Sequence, residues 1–413
     1  MRDILPADSF YWEKVYGEIK KVADIYSYFK IGTPIIESSE IFERTLGTVS
    51  DVIEKQMFFV KSRGQESLVL RPEGTAPVMR AYIENGLDRM PQPSKLYYEG
   101  PMFRYEQPQA GRLRQFHQVG FEVIGGESDP VYDAQVILVI NKLLGNLKIK
   151  NLITEVNSMG CKTCRQNYKK KLLVFYKDKK GELCEDCDKR LNVNPLRLLD
   201  CKVCIALKEK APIILDYLCK GCQNHFQQVL EFVEELKIPY KLNNYLVRGL
   251  DYYNKTVFEV FNEGDSGKLA IASGGRYDAL SEFLGVKSIS AVGGAIGIER
   301  VIEMIRDDEE KELNRVSRKK QIFFVYIGDT SKKKSLPLID ILLNSGFRVL
   351  EALGKESLKS QFRLADKEKI EWALIFGQRE AFEESIILRD MKTGVQETIA
   401  LKDLVEKLRK RIK

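Results

Sequence analysis

The sequence predicts an α+β fold: an antiparallel sheet flanked by helices, interrupted by a cysteine-rich insertion and followed by a separate α/β module. Three observations predict it. Two long strand-like segments, Lys95–Glu106 and Leu113–Ile124, flank the polar, turn-forming run Gln107–Arg112 and read as an antiparallel pair. All eight cysteines fall between Gly160 and Cys222, where lysines crowd around them, which marks an inserted subdomain. Beyond Lys320, strand-like Ile322–Ile327, Val349–Glu351 and Ala373–Phe376 alternate with helical stretches.

The remaining elements follow in order. Val15, Ile19, Val22, Ile25, Tyr26 and Phe29 recur at helical spacing and predict a helix over Phe10–Phe29, with Ser9 as its N-cap. Short strands are expected at Thr33–Ile36, Met57–Val60 and Leu68–Leu70, the last two joined as a hairpin through Ser62-Arg63-Gly64. A helix opens at Asp129 as N-cap with Pro130 in its first turn and Val136, Val139, Ile140, Leu143 and Leu144 on one face. Strands return at Lys241–Val247, Thr256–Asn262, Leu269–Ala272 and Ala291–Ile296, and the charged run Arg306–Lys320 reads as a linker. A last helix turns Leu401, Leu404, Val405, Leu408 and Ile412 inward.

With 413 residues there is room for two to four domains, and 44% apolar with 30% charged residues is a globular composition. No apolar run approaches the roughly 20 residues a bilayer span needs, and Met1-Arg2-Asp3-Ile4-Leu5-Pro6 lacks the order of a signal peptide, so a cytoplasmic protein without a membrane partner is expected. A net charge of +7 attracts polyanions without specifying one.

Chemistry concentrates in four segments. Arg104 and Glu106 end one long strand, a glycine-containing loop carries Arg112 and Arg114, and the return strand sets Phe116, Gln118 and Glu122 on one face. An aromatic, an amide and a carboxylate aligned in this way suggest a ligand. Arginine suits phosphate because its planar fork donates paired hydrogen bonds, and Arg248-Gly249-Leu250-Asp251-Tyr252-Tyr253 repeats that theme. Ala272–Asp278 brings glycines where backbone must come close, and Gly293–Arg300 sets another arginine at a strand-to-helix junction.

In this order the segments resemble the histidyl-tRNA synthetase family, class II aminoacyl-tRNA synthetases, in its bacterial type. The resemblance runs through Asp3–Pro6, a segment around Pro34 similar to the class II dimer motif, Leu70–Ala76, Gly100–Arg104, Arg114–Gln118, the histidine signatures Leu246–Tyr253 and Gly274–Asp278, and Glu299-Arg300. It implies ATP-dependent activation of L-histidine and its transfer to the 3′ end of tRNA-His, with Mg²⁺ accompanying ATP, by a homodimer. It further implies that Glu73, Thr75 and Gln118 hold the histidine ammonium and that Glu122 and Tyr253, with Tyr252 and Tyr277, read its imidazole. Arg104 and Arg248 would meet the α-phosphate, Phe116 the adenine, and Arg300 and Arg112 the rest of ATP. Gln107 follows Glu106 where the family commonly has an arginine, in a loop expected to meet the tRNA acceptor end. A noncatalytic paralogue that regulates ATP phosphoribosyltransferase is the nearest rival. Such proteins usually lose signature residues and the terminal module, whereas this chain keeps Arg104, Arg248, Tyr253, Arg300 and Ser357–Lys367.

The implied layout is a catalytic domain in two parts, 1–157 and 236–307, around an insertion at 158–235, then a linker at 308–320 and an anticodon-binding domain at 321–413. Within the insertion, Cys161/Cys164, Cys184/Cys187, Cys201/Cys204 and Cys219/Cys222 form four C-x₂-C knuckles with none left over, a count that fits two structural Zn²⁺ sites. Disulfides and free core cysteines compete with that reading, and the spacing leaves the pairing of knuckles open. Of the two histidines, His117 is expected to pack on the strand face opposite Gln118, and His225 to be a surface or helix residue.

Overall fold

The structure, a computed structural model, describes residues 2–46, 56–61, 63–105, 113–250, 252–263, 269–306, 321–354 and 357–412. The chain forms two compact units, Met1–Asp307 and Asp308–Lys413. The Gln107–Arg112 turn, the Ser62 turn residue and the 307–320 part of the linker lie outside the described residues.

In the first unit the opening helix is Pro6–Ile25, one turn earlier than Ser9 signals. Leu5 occupies the N-cap and Pro6, whose fixed φ suits a first helical turn, starts it, so Ser9 lies inside the helix. It ends before Phe29 because Ser27 turns to φ 59°. Phe29 instead begins β1 (Phe29–Lys30). A small antiparallel sheet sets β4 (Leu68–Leu70) between β2 (Ile36–Ser38) and β3 (Phe58–Val60). The strand expected at Thr33–Ile36 starts only at Ile36, since Arg71 takes the carbonyls before it: its N–H meets Ile35 O at 2.9 Å and its guanidinium meets Thr33 O at 2.9 Å.

The main sheet has eight strands: β5 (Ser94–Phe103), β6 (Gln115–Ile124), β7 (Leu152–Ser158), β8 (Tyr240–Leu242), β9 (Asn254–Asn262), β10 (Ala272–Arg276) and β11 (Ala291–Gly297) join β1 in the order β1-β5-β6-β11-β10-β9-β7-β8. The six inner strands pair antiparallel, and only the edges β1 and β8 run parallel to their neighbours. Two expected strands are corrected. The run from Lys241 leaves the sheet after Leu242, where Asn243 accepts the Tyr245 N–H in a side-chain turn. The strand expected at Leu269–Ala272 is displaced to Ala272–Arg276, so the glycine pair is itself strand. It threads so closely between its neighbours that a Cβ on Gly274 would stand 2.2 Å from the Gly293 carbonyl.

Helix Pro130–Asn146 supports the sheet with Val136, Val139, Ile140, Leu143 and Leu144 buried, and the Asp129 side chain accepts the Val131 N–H at 2.8 Å. The insertion leaves after β7 and returns at β8. Its helices are short apart from Lys162–Lys177 and Lys220–Glu235, and its apolar residues are continuous with those under Tyr252, Tyr253 and Val257.

The second unit orders its sheet as β13 (Arg348–Glu351), β12 (Gln321–Tyr326), β14 (Trp372–Phe376), β15 (Ser385–Asp390) and β16 (Gln396–Ala400). The first three are parallel, and the β15–β16 hairpin adds an antiparallel edge that the sequence reading lacked. Leu404, Leu408 and Ile412 close its core from the terminal helix. Among the described residues no helix is long and apolar enough to cross a membrane.

Candidate active site

Glu122 lies at the floor of the site, fully buried in the middle of the main sheet. The Thr75 hydroxyl donates to one of its oxygens at 2.8 Å and the Tyr277 hydroxyl to the other. Burial dominates its titration and pushes the carboxyl up to about 8, although these two donors pull it down. The neighbouring carboxyl of Glu73 is also raised by burial. It accepts the N–H groups of Thr75 at 2.7 Å and Ala76 at 2.8 Å, and so satisfies the exposed donors at the start of helix Thr75–Glu84.

Three tyrosines wall this pair. Tyr252 and Tyr253 have ring centres 4.7 Å apart, Tyr277 meets both edge to face, and the Tyr252 hydroxyl reaches Glu73 at 3.4 Å. Tyr98, which the sequence reading missed, completes the wall and is fully buried beside Glu122 and Glu73. Its room comes from a glycine: a Cβ on Gly120 would lie 2.3 Å from the Tyr98 ring. Gly293 does the same for Glu122, since a Cβ there would fall 1.5 Å from its carboxylate. Tyr98 reaches the site through the cross-strand pair Tyr98↔Gly120, beside Glu122↔Gly293, a register that leaves no local signal in the sequence.

The cations take two positions. Arg104 donates to Pro72 O at 2.9 Å and lies 5.2 Å over the Phe116 ring, at the other end of the β5–β6 pair. Arg248 lies 5.6 Å over Tyr253, pairs with Glu259, and donates to the Ser273 hydroxyl at 2.7 Å. Its Nε is buried without a hydrogen-bond partner, as is Gln118 Oε1. Buried polar atoms left unsatisfied are rare and suit a site awaiting a polar ligand. Arg300 donates to the Ala270 carbonyl, and Arg112 lies outside the described residues.

The profile described as histidyl-tRNA synthetase matches residues 1–301, and that of the anticodon binding domain matches residues 321–411. The chain belongs to the histidyl-tRNA synthetase family. The histidine–tRNA ligase of Desulfitobacterium hafniense is 41% identical over 418 residues, covering 100% of this chain and 97% of that one. The ligase of Aquifex aeolicus is 40% identical, covering 97% and 98%. The crystal structure of apo S. aureus histidyl-tRNA synthetase is similar at a TM-score of 0.80 and 34% identity, over 99% of this chain and 98% of that one.

Within this synthetase-family chain the two histidines do structural work. His117 donates from Nδ1 to the Glu299 carboxylate at 2.8 Å and packs edge-on to Trp12 at 4.8 Å. His225 is on a helix, as one of the two expectations had it, but not on the surface. It is buried 3.4 Å from Asp133, which forms a fully buried ion pair with Arg276. Burial alone would raise the Asp133 carboxyl; Arg276, then His225, hold it below the usual range. Neither member of that pair was singled out in the sequence, where Arg276 was one letter of a signature.

The eight thiols collect into two quartets, Cys161/Cys164/Cys219/Cys222 and Cys184/Cys187/Cys201/Cys204, each with its sulfurs within 4.8 Å of one another. The outer knuckles pair with each other and the inner ones likewise. Sulfurs at 3.5 Å (Cys161–Cys164) and 3.8 Å (Cys184–Cys201) are far from disulfide length and close to the roughly 3.8 Å edge of a tetrahedral Zn–S₄ unit. Four helices start with a knuckle cysteine at the N-cap: Cys161, Cys184, Cys204 and Cys219. Backbone N–H groups point at the sulfurs, for example Cys219 N to Cys164 Sγ at 3.1 Å. Against the upward pull of burial, such donors bring Cys161 and Cys201 down to about 7, towards the thiolate a metal requires.

Proposed function

We propose a division of labour for the reaction of this family, ATP-dependent ligation of histidine to tRNA-His. The observation that carries it is Glu122: a fully buried carboxyl at the floor of the site, held by the hydroxyls of Thr75 and Tyr277 and walled by tyrosines, is a fixed hydrogen-bonding partner for an imidazole N–H. Glu122 and Tyr253, with Tyr252 and Tyr277 beside them, read the ring. Glu73, Thr75 and Gln118 take the ammonium, for which the unpartnered Gln118 Oε1 is a ready acceptor.

ATP would enter with Mg²⁺, which would offset part of the charge on its phosphates. The adenine stacks on Phe116, already paired with Arg104, and Arg300 and Arg112 hold the polyphosphate. The histidine carboxylate attacks the α-phosphorus, forming the mixed anhydride and expelling pyrophosphate. Arg104 and Arg248 offset the charge that gathers on the phosphate oxygens, and no base is needed because the attacking carboxylate is already ionised. A hydroxyl of the 3′-terminal ribose then attacks the acyl carbon of the anhydride, forming the ester as the acyl–phosphate bond breaks and AMP leaves, with the hydroxyl proton released; the module at 321–413 reads the anticodon.

Each sulfur quartet fits one structural Zn²⁺, which would tie separate segments of the insertion at 158–235 to one another, the outer quartet holding its two ends together where it leaves and rejoins the catalytic parts 1–157 and 236–307; 308–320 is the linker. The protein is cytoplasmic and a homodimer through the segment around Pro34, where Phe29, Ile35, Ile36 and Phe59 expose apolar surface. Histidine-dependent ATP–pyrophosphate exchange, followed by charging of a tRNA-His transcript, tests the reading. Exchange that shows no preference for histidine over glutamine or tyrosine would sink it, and elemental analysis without about two zinc ions per chain would remove the metal half.

A further inference from the structure

The insertion touches the histidine signature 246–253 through two arginines, each fixed to a different cysteine quartet. Arg165 stands one residue after Cys164, in the first turn of the helix Lys162–Lys177 that begins from Cys161. Its guanidinium donates to the carbonyl oxygen of Tyr253 at 2.6 Å. Arg197 lies in the turn Pro195–Asp200, which runs directly into Cys201, and is nine-tenths buried with 9% exposure. It donates to the carbonyl oxygen of Gly249, the residue after Arg248. One contact therefore falls on Tyr253 itself and the other on the residue next to Arg248, and both arginines line a cavity of about 240 Å³ with Arg248 and Tyr253 on its wall.

This segment needs outside help. It joins β8 to β9 without belonging to either strand, and glycine at 249 gives it backbone freedom. A charged donor on a carbonyl is among the stronger hydrogen bonds available to fix a loop, and each donor here is anchored within four residues of a sulfur quartet. We propose that Arg165 and Arg197 are positioning residues that transmit the rigidity of the two cysteine centres to the active-site segment, Arg165 setting Tyr253 and Arg197 setting Arg248. The inference rests on the assignment of roles to Tyr253 and Arg248 and of metal to the quartets. It gives the insertion a part in histidine activation, before any transfer RNA is bound.

Four variants of the full-length, metal-replete chain decide it: Arg165→Met and Arg197→Met, which keep the apolar stem but cannot donate, and Arg165→Lys and Arg197→Lys, which can. Pyrophosphate exchange is measured with histidine and ATP varied separately, alongside zinc content and thermal unfolding. Arg165→Met raises KM for histidine and Arg197→Met lowers kcat, each on the order of 10- to 100-fold, the scale of a small misplacement of a reacting group. Each Lys variant recovers most of its loss, because a single carbonyl needs a single donor. After chelation the Met and parent chains become equally slow, since the contact is already lost. Unchanged kinetics in folded Met variants, KM and kcat moving together in step with a fallen Tm, or losses that multiply with chelation would each overturn the proposal. If the parent holds no zinc, the metal reading fails by itself, and the contrast between Met and Lys variants still decides the positioning role.

Discussion

In the main sheet, Glu122 stays in place because β6 is hydrogen-bonded on both sides, to β5 and β11, over ten and seven residues of register. In the insertion, residues 161–222 have no sheet; short helices and turns gather around eight sulfurs. One region is rigid through its backbone ladder and a packed core, the other through side chains that converge on points. Rigidity of the second kind can be withdrawn without disturbing the first, and that difference can be measured.

Metal removal should give the largest effect. Structural zinc supplies about 10–16 kcal/mol per site in small domains, more than the short helices here could replace. With zinc chelated, backbone amides of the helix Lys162–Lys177 should lose hydrogen-exchange protection while those of β5 and β6 keep theirs. Equal loss in both regions would dissolve the contrast. The converse variant is Asp133→Ala, which takes from the buried Arg276 its fully buried carboxylate partner and leaves it the part-exposed Asp278. Breaking a buried pair from one side costs about 3–5 kcal/mol, so denaturant unfolding of the sheet should shift by that amount with zinc content unchanged.

Next in size is Arg248→Ala. As a donor to the transition state its loss lowers pyrophosphate exchange by about two to three powers of ten. Its pairing with Glu259 makes a sharper comparison possible. If Arg248 served only that pair, Glu259→Gln would slow exchange as much as Arg248→Ala does; a smaller loss in Glu259→Gln is expected.

Glu122 adds a dependence on pH. Its folded pKa, about 8, lies above that of an ordinary carboxyl, so between roughly pH 4.5 and 8 the unfolded chain holds fewer protons than the folded one. Stability from this group therefore falls as pH rises through that window. Glu122→Gln should remove the slope, becoming more stable relative to the parent at pH 8 than at pH 5, while losing histidine activation. A difference in Tm between variant and parent that stayed constant across the window would contradict the assignment.

Legibility in the sequence follows the same division. Helix Pro130–Asn146 announced itself because its cap, its proline and its apolar face are local signals. The knuckles were legible as a count, but their pairing depends on how the chain folds between Cys164 and Cys219, which spacing does not encode. Tyr98 and the Asp133–Arg276 pair were hidden for another reason: their partners are 22 and 143 residues away and meet only through strand register or helix packing. The β15–β16 hairpin was the avoidable miss, since Gly394 at φ 78° and the alternation of buried Ile386 and Leu388 in β15 are ordinary hairpin signals. Motif residues such as Glu122 and Arg248 were found through family resemblance, whereas Arg165 and Arg197 had no motif to carry them.

The smallest effect probes how helices begin in the two regions. Helix Pro130–Asn146 starts under a conventional cap, with Asp129 accepting one backbone N–H, so Asp129→Ala should cost about 1 kcal/mol and leave zinc content and exchange unaffected. Helix Lys220–Glu235 starts at Cys219, whose side chain makes no capping hydrogen bond. If Cys219 were only a poor cap, replacing it with serine, a good one, would stabilise the protein. If it is a metal ligand, Cys219→Ser should destabilise by more than Asp129→Ala, and the loss should disappear when both proteins are compared after chelation.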